Sequence, residues 1–169
     1  VEKASYEREK TKMGIVIERL PPDYMEKALI LLRDVFACEQ NIPVELHDIK
    51  EDLNPLWWCA KDGLEIVGTA AGWIEGGNWH WGRFAVDRRL RGLGIGKKLA
   101  VFSFKEIFGL GAGEIHIEAR DVTVGIIRKF GGEVTGEPVD FYGAPVTPMI
   151  LKKHEFLEYL RRNTQLSSA

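Results

Sequence analysis

The chain has 169 residues, of which 45% are apolar and 28% charged; this is globular composition, about one domain's worth, and excludes a wholly disordered chain. Lys plus Arg total 23 against 25 Asp plus Glu, a net charge of −2, which argues against a dedicated nucleic-acid binder. No apolar run approaches the length of about 18 residues that a membrane helix needs, so neither nucleic acid nor membrane is an expected partner.

Val1 to Lys12 is charged and lacks an apolar segment, so residues 1–12 read as a flexible lead-in and not as a signal peptide. Gly14 to Glu18 is β-rich and closed by Pro21-Pro22, which predicts a first strand. Pro22 and Asp23 suit a helix start, and Met25, Ala28, Leu29, Leu32, Val35 and Phe36 recur at helical spacing to about Cys38. Asn41 to Asn54 is acidic and irregular, with room for a short second helix. Three extended runs follow, Leu56–Lys61, Glu65–Glu75 and Trp79–Val86, separated by Asp62-Gly63 and Gly76-Gly77-Asn78; they predict an antiparallel meander.

Beyond Val86 the pattern changes. A Gly-rich stretch at Arg91–Gly96 leads into a helix through Phe108, and Gly109 to Gly113 ends it. Ile115–Ala119 predicts a strand and Val122–Phe130 a helix closed by Gly131-Gly132. Glu133–Tyr142 and Met149–Lys152 predict two last strands, and His154–Asn163 a closing helix. The reading is an α/β (α+β) fold: a mixed, largely antiparallel central sheet of six to seven strands flanked by helices, one domain over 13–163 with a flexible tail at 164–169. Cys38 and Cys59 follow no metal or CxxC spacing and read as two free buried thiols of a cytoplasmic protein, with no metal site expected.

The chemistry concentrates in one run. A strand ending in Val86 feeds the glycine loop, which opens a helix; this aims backbone N–H groups and the positive helix end at one point, where a phosphate can sit. Arg88, Arg89, Arg91, Lys97 and Lys98 add cations, so the ligand should be polyanionic. A P-loop reading fails twice, with Arg91 at the first glycine and Lys98 at the required Ser or Thr. A dinucleotide fingerprint on Gly92 and Gly94 meets Lys97 at its third glycine and follows a meander in place of a parallel unit.

Arg91-Gly92-Leu93-Gly94-Ile95-Gly96 fits Arg-x-x-Gly-x-Gly, and here the chain resembles the GCN5-related N-acetyltransferase superfamily over about residues 14–152. Lys129-Phe130-Gly131-Gly132 is similar to that family's Lys-x-Gly-Phe ending. The resemblance implies an acyl-CoA N-acyltransferase-like fold, acetyl-CoA as co-substrate, and direct transfer of the acetyl group to a primary amine, on a small molecule or a protein, within a ternary complex. It implies that the backbone of Arg91 to Gly96 holds the CoA pyrophosphate and that Phe84, Ala85 and Val86 pair with the pantetheine arm. Arg91 or Lys97 would add a cationic contact. The strands before and after the loop would splay into a slot, and a homodimer is compatible with the family.

A lysine-like amine has a pKa of about 10.4, so at neutral pH fewer than about one molecule in a thousand is free base, and the reaction needs a base. The candidates are His80 and Glu118, with His116 on the same face as Glu118; a water chain to Glu39, Glu45, Asp48 or Asp52 is an alternative. The family's usual acid, a Tyr, aligns with Ile127, and its usual strand-end Asn with Arg120. Either the thiolate leaves unassisted or Tyr142 or Asp121 supplies the proton. Glu39, Glu45, Asp48, Glu51 and Asp52 border the expected acceptor slot and would favour a cationic amine. Two other functions share parts of this pattern: an acyl-homoserine-lactone synthase-like enzyme, against which the glycine loop speaks, and a non-catalytic CoA-binding module, to which Ile127 lends weight.

Overall fold

A computed structural model describes residues 8–167, with side chains to residue 164. In chain order the strands are β1 (Arg8–Lys10), β2 (Val16–Arg19), β3 (Leu56–Asp62), β4 (Glu65–Glu75), β5 (Asn78–Val86), β6 (Glu114–Arg120), β7 (Glu133–Val134), β8 (Val139–Phe141) and β9 (Ala144–Lys152). The helices are α1 (Met25–Leu32), α2 (Ile95–Gly109), α3 (Asp121–Lys129) and α4 (Lys153–Ser167). The strands form one sheet in the order β1-β2-β3-β4-β5-β6-β9-β7, with β8 hairpinned to β9. Every pairing is antiparallel except β5 with β6, so the sheet is mixed and largely antiparallel, as expected.

Strand number departs from the expected six to seven, because nine strands are present among the described residues. Arg8–Lys10, read as part of the flexible lead-in, pairs with β2; Glu18 anchors it by accepting charge contacts from both Arg8 and Lys61. Thr11 is buried and its Oγ1 accepts from Ile15 N–H at 3.1 Å, closing the β1–β2 turn. Residues 1–7 of that lead-in lie outside the described residues. The run read as Glu133–Tyr142 divides into β7 and β8, since both pair with a β9 that begins five residues earlier than Met149. At the other end α4 runs on to Ser167, through much of the segment read as a tail; residues 168–169 lie outside the described residues.

α2, α3 and α4 pack on one face of the sheet. Trp58, Trp81, Leu99, Phe104, Ile107, Phe130 and Phe156 are buried there in one cluster. Trp81 Nε1 donates to Ser103 Oγ at 2.9 Å, so the indole is satisfied inside the core. α1 and the segment that follows it cover the other face, burying Leu31 and Leu32 of α1 and Val35 beyond it against Trp57, Cys59, Ala71 and Ala85. The helix predicted to about Cys38 continues as a π-helical segment, Arg33–Glu39, a rare geometry that rotates its side chains relative to α1. The acidic stretch after it holds two single 3₁₀ turns, Val44–Leu46 and Glu51–Leu53. Cys59 is buried as expected, but Cys38 is exposed on the outside of the π segment. No helix among the described residues is long and apolar enough to cross a membrane.

Candidate active site

β5 and β6 run side by side only where Trp79, His80 and Trp81 face Ile115, His116 and Ile117. Beyond that point β5 stays with β4 to Val86 while β6 stays with β9 to Arg120, so the two strands part and leave a wedge-shaped slot. A bulge steers β5 away. Ala71 pairs with Gly82 and Thr69 with Ala85, leaving Arg83 and Phe84 opposite the single residue Ala70. Arg83 adopts φ +52°, a left-handed conformation costly for a residue with a Cβ. Because of the bulge, Trp81 and Phe84, three apart, share the α2 face.

The bulge also decides which backbone groups face the slot. Asp87 N–H donates to Val67 O at 2.8 Å, so alternation turns the groups of Ala85 toward β4 and those of Phe84 and Val86 toward the slot. Ala85, expected to pair with the pantetheine arm, has its backbone committed to Thr69 and its side chain buried. Phe84 keeps its slot-facing groups and Val86 its N–H, while the Val86 carbonyl accepts from Arg91 Nε.

The glycine loop lies just past the end of β5. Gly92 and Gly94 have φ of +82° and +81°, and Gly94 caps α2. Only glycine takes both positions without strain. Gly96 serves packing: a Cβ there would lie 2.9 Å from Phe84 Cζ, so its absence lets the first turn of α2 rest on β5. Among the described residues, no protein acceptor takes the N–H groups of Gly92, Leu93, Gly94, Ile95, Gly96 or Lys97. Six backbone donors and a helix N-terminus therefore converge without internal partners, and they fit a diphosphate.

The cations beside the loop divide into two sets. Arg89 is held by Asp87 at 2.8 Å and approaches Glu65. Arg88 and Arg91 both reach Glu39, and Arg91 Nε donates to Val86 O at 3.0 Å. Arg91, expected as a phosphate contact, is thus engaged by the protein. The Arg91 hydrogen bond holds the Glu39 carboxyl below the usual carboxylate range, against an opposing effect of burial. Lys97 and Lys98 make no ion pair among the described residues, although the Lys97 ammonium lies 5.8 Å from the Tyr159 ring. They are the cations left for a ligand.

On the α1 face the slot is roofed by residues 40–48. Ile42 N–H donates to Phe36 O, and His47 Nε2 lies 2.9 Å from Ile42 O, which folds that loop on itself. Arg83 ties it to β5: its Nε donates to His47 O at 2.8 Å and Nη2 to Asp48 O at 3.2 Å, while the guanidinium lies 5.3 Å from the Trp73 ring. Arg120, at the end of β6, reaches Gln40 O from the other bank at 3.5 Å. Burial lowers the pKa of Arg83, with the charges of Asp48 and Glu118 acting in the opposite sense.

Glu118 follows Ile117, the last β6 residue paired to β5, and so stands at the fork. Ile115, Ile117 and Ala119 are buried, and Glu118 is turned away from them with His116 and Arg120, as alternation predicts. His80 sits one row deeper, where the strands are still joined. Its ring stacks on Trp73 at 5.9 Å, lies 5.6 Å from His116, and its Nε2 is 3.2 Å from Glu75 O. Tyr142 is exposed at the β8–β9 turn with φ +51° and packs on Phe141; no contact joins it to Glu118 or the glycine loop. Ile127 is fully buried, a core residue in the place of the family's tyrosine. Of the acidic residues expected to border the slot, Glu39 is spent on arginines and Asp48 Oδ1 accepts from Ile49 N–H. Reading the sequence misses Arg83; Gly82 inside a strand pattern is the one local hint of the bulge.

A splayed pair of parallel strands, a bulge on one of them and a donor-rich glycine loop at the next helix meet at one slot of a mixed sheet. The model of the acetyltransferase (GNAT) family matches residues 23–131, and the chain belongs to that family. No curated protein matches it in sequence. Among solved structures it is similar to Escherichia coli ElaA, with a TM-score of 0.70 and 21% identity over 79% of this chain and 93% of that one. An acyl-CoA N-acyltransferase from Pseudomonas aeruginosa gives a TM-score of 0.69 at 18% identity, covering 80% of this chain and 97% of that one. The acyl-homoserine lactone synthase BjaI, solved with SAM and isopentyl-CoA, gives 0.66 at 16% identity, with coverage of 83% and 82%. At these identities the likeness is one of fold, and it carries the expected acyl-CoA N-acyltransferase architecture. Among the described residues no group of three or more His, Cys, Asp or Glu is placed to hold a metal ion.

Proposed function

We propose that this protein is an acetyl-CoA-dependent N-acetyltransferase that moves an acetyl group directly to a primary amine. The observation that carries the reading is the set of unshared amides from Gly92 to Lys97 at the mouth of a slot whose β5 edge is unpaired at Phe84 and at the Val86 N–H. Those amides, with Lys97 and Lys98, hold the diphosphate; the Phe84 and Val86 backbone takes the pantetheine arm as an added strand. Bound there, acetyl-CoA supplies an activated acyl group whose thiolate is a tolerable leaving group, with a thiol pKa of about 8.5.

The chain's own residues do the rest. A slot-facing N–H of β5 donates to the carbonyl oxygen as negative charge grows on it. Glu118, at the fork, accepts the proton of the attacking amine, and its position there favours it over His80, which is fixed among Trp73, His116 and Glu75 O. No side chain is assigned as acid: Ile127 has no proton to give and Tyr142 contacts only the hairpin, so the thiolate leaves unassisted.

The test is thermal. Saturating acetyl-CoA raises the melting temperature of the wild-type protein, and Gly94→Asp, which sets a carboxylate among the donors, abolishes the rise. A wild-type protein that melts at the same temperature with and without acetyl-CoA would overturn the reading. Thiol release stimulated by a primary amine then separates a transferase from a binding module.

A further inference from the structure

Among the described residues, two arginines on the acceptor side of the slot have no ion-pair contact. Arg83 hydrogen-bonds only the neutral carbonyls of His47 and Asp48, and Arg120 only that of Gln40. Of the other described arginines only Arg33 and Arg128 are likewise without an ion pair, and those two are exposed. Arg83 and Arg120 are both half-buried, and a charge partly withdrawn from water without an ion-pair partner carries a desolvation cost. Arg83 is kept, moreover, in a left-handed backbone conformation where glycine would be cheaper. The anions that face this region are Glu118 and Asp48, whose charges act on Arg83 without pairing with it. Glu118 and Arg120 share one face of β6, two residues apart, and Arg83 stands on the opposite bank. The slot thus presents the Glu118 carboxylate at its fork with two cations flanking it, and Asp48 lies on the Arg83 bank.

We infer that the acceptor is a small zwitterion of the amino-acid type: its amine goes to Glu118 and its carboxylate to Arg83 and Arg120. This rests on the transferase reading above and narrows it. The acceptor's ammonium gives one proton to Glu118, the freed nitrogen bonds to the acetyl carbon as the carbon–sulfur bond breaks, and the second proton lost from nitrogen goes to the departing thiolate or to water, so no further reactant is needed. It also departs from the expectation that acidic residues select a purely cationic amine, since Arg83 and Arg120 add positive charge on the acceptor side and Glu39 is committed to Arg91.

The experiment compares α-amino acids with their decarboxylated amines and their primary amides as acceptors. Expected is a kcat/KM for the amino acid at least about tenfold above both analogues, the yield of a charge-assisted bidentate contact. Arg120→Gln and Arg83→Gln each bring that ratio toward one through the acceptor KM, and Arg83→Lys restores part of it. Because Arg83 also holds the roof loop, a second readout is needed: carboxylic acids lacking the amine inhibit competitively against the acceptor in the wild type and fail to inhibit Arg120→Gln. If acetyl-CoA stabilises the protein but turnover is equal or better with the decarboxylated amines, or absent with every amino acid, this inference is overturned while CoA binding stands. If acetyl-CoA gives no stabilisation, the transferase reading falls and takes the inference with it.

Discussion

Arg91 and Glu39 meet fork to fork, Nη1 to Oε1 at 2.7 Å and Nη2 to Oε2 at 2.8 Å, joining the end of the π segment to the first residue of the glycine loop. With its Nε on Val86 O, Arg91 spans three elements: the helix over the acceptor side, the strand edge and the loop. An arginine that counts toward a polyanion site in the sequence acts in the structure as a clamp. In the function proposed above, the loop would hold a diphosphate through its backbone donors and through Lys97 and Lys98.

Removing the clamp tests its contribution. Glu39→Gln should lower the melting temperature at neutral pH by about 1–2 °C, since a part-exposed pair contributes on the order of 0.5 kcal/mol. Glu39 has its pKa lowered in the folded state, so its contribution is complete above the unfolded carboxylate value of about 4.3 and is lost as pH falls through the lowered folded value. The gap between wild type and variant should therefore close toward acid pH. Melting curves across the acid range check this, and a gap that stays constant would deny the ion pair its role.

The choice between bases is kinetic. Glu118→Gln should cut kcat about 100-fold or more while acetyl-CoA affinity stays within twofold, because a general base acts on the amine and not on the CoA contacts. His80→Gln should cost less than about tenfold. Pre-steady-state or steady-state turnover with the best acceptor decides it, and the reverse order of losses would transfer the proton to His80.

The two thiols should separate cleanly. Burial, with the Glu18 charge adding to it, pushes the Cys59 thiol up to about 12, so almost no thiolate exists near neutrality. Cys38 is exposed. Iodoacetamide at about pH 8 should label the folded chain once, at Cys38, and twice only in denaturant. Mass analysis giving two labels on folded protein would show that β3 opens far more readily than its packing implies.

What could be read in advance was chemistry that is local in sequence. The bounds of β4 follow from the glycine turns on either side of it, the face of Glu118 from alternation, and the strand–glycine–helix order from Val86 to Lys97 from residue type alone. The clamp was not legible, because Glu39 and Arg91 are brought together by a π turn that no periodicity marks. Nor was the bulge at Arg83, whose position depends on the register between β4 and β5. β1 escaped for a similar reason: a charged three-residue strand carries no hydrophobic pattern and is defined by pairing to β2. Long-range register, more than composition, decided which cations and which amides remain available to a ligand.

The missing acid makes a last prediction. Ile127 is fully buried, and a Cβ at Gly132 would fall 2.4 Å from its Cγ2 and 2.9 Å from its carbonyl oxygen, so the end of α3 is closed around it. Ile127→Tyr restores the residue type the family usually has there, yet it must fit a larger ring with a hydroxyl into a filled core. Overpacking of this kind costs about 1–3 kcal/mol, and a phenol trapped without a partner adds to it. Urea unfolding should show that loss, and turnover should not rise, because α3 would have to move before the hydroxyl reached the slot. Gly132→Ala, which crowds the same carbonyl, should destabilise in the same sense without altering acetyl-CoA affinity beyond twofold. If Ile127→Tyr instead raised kcat at undiminished stability, Ile127 would border the slot and thiolate departure would be the slow step that an added acid relieves.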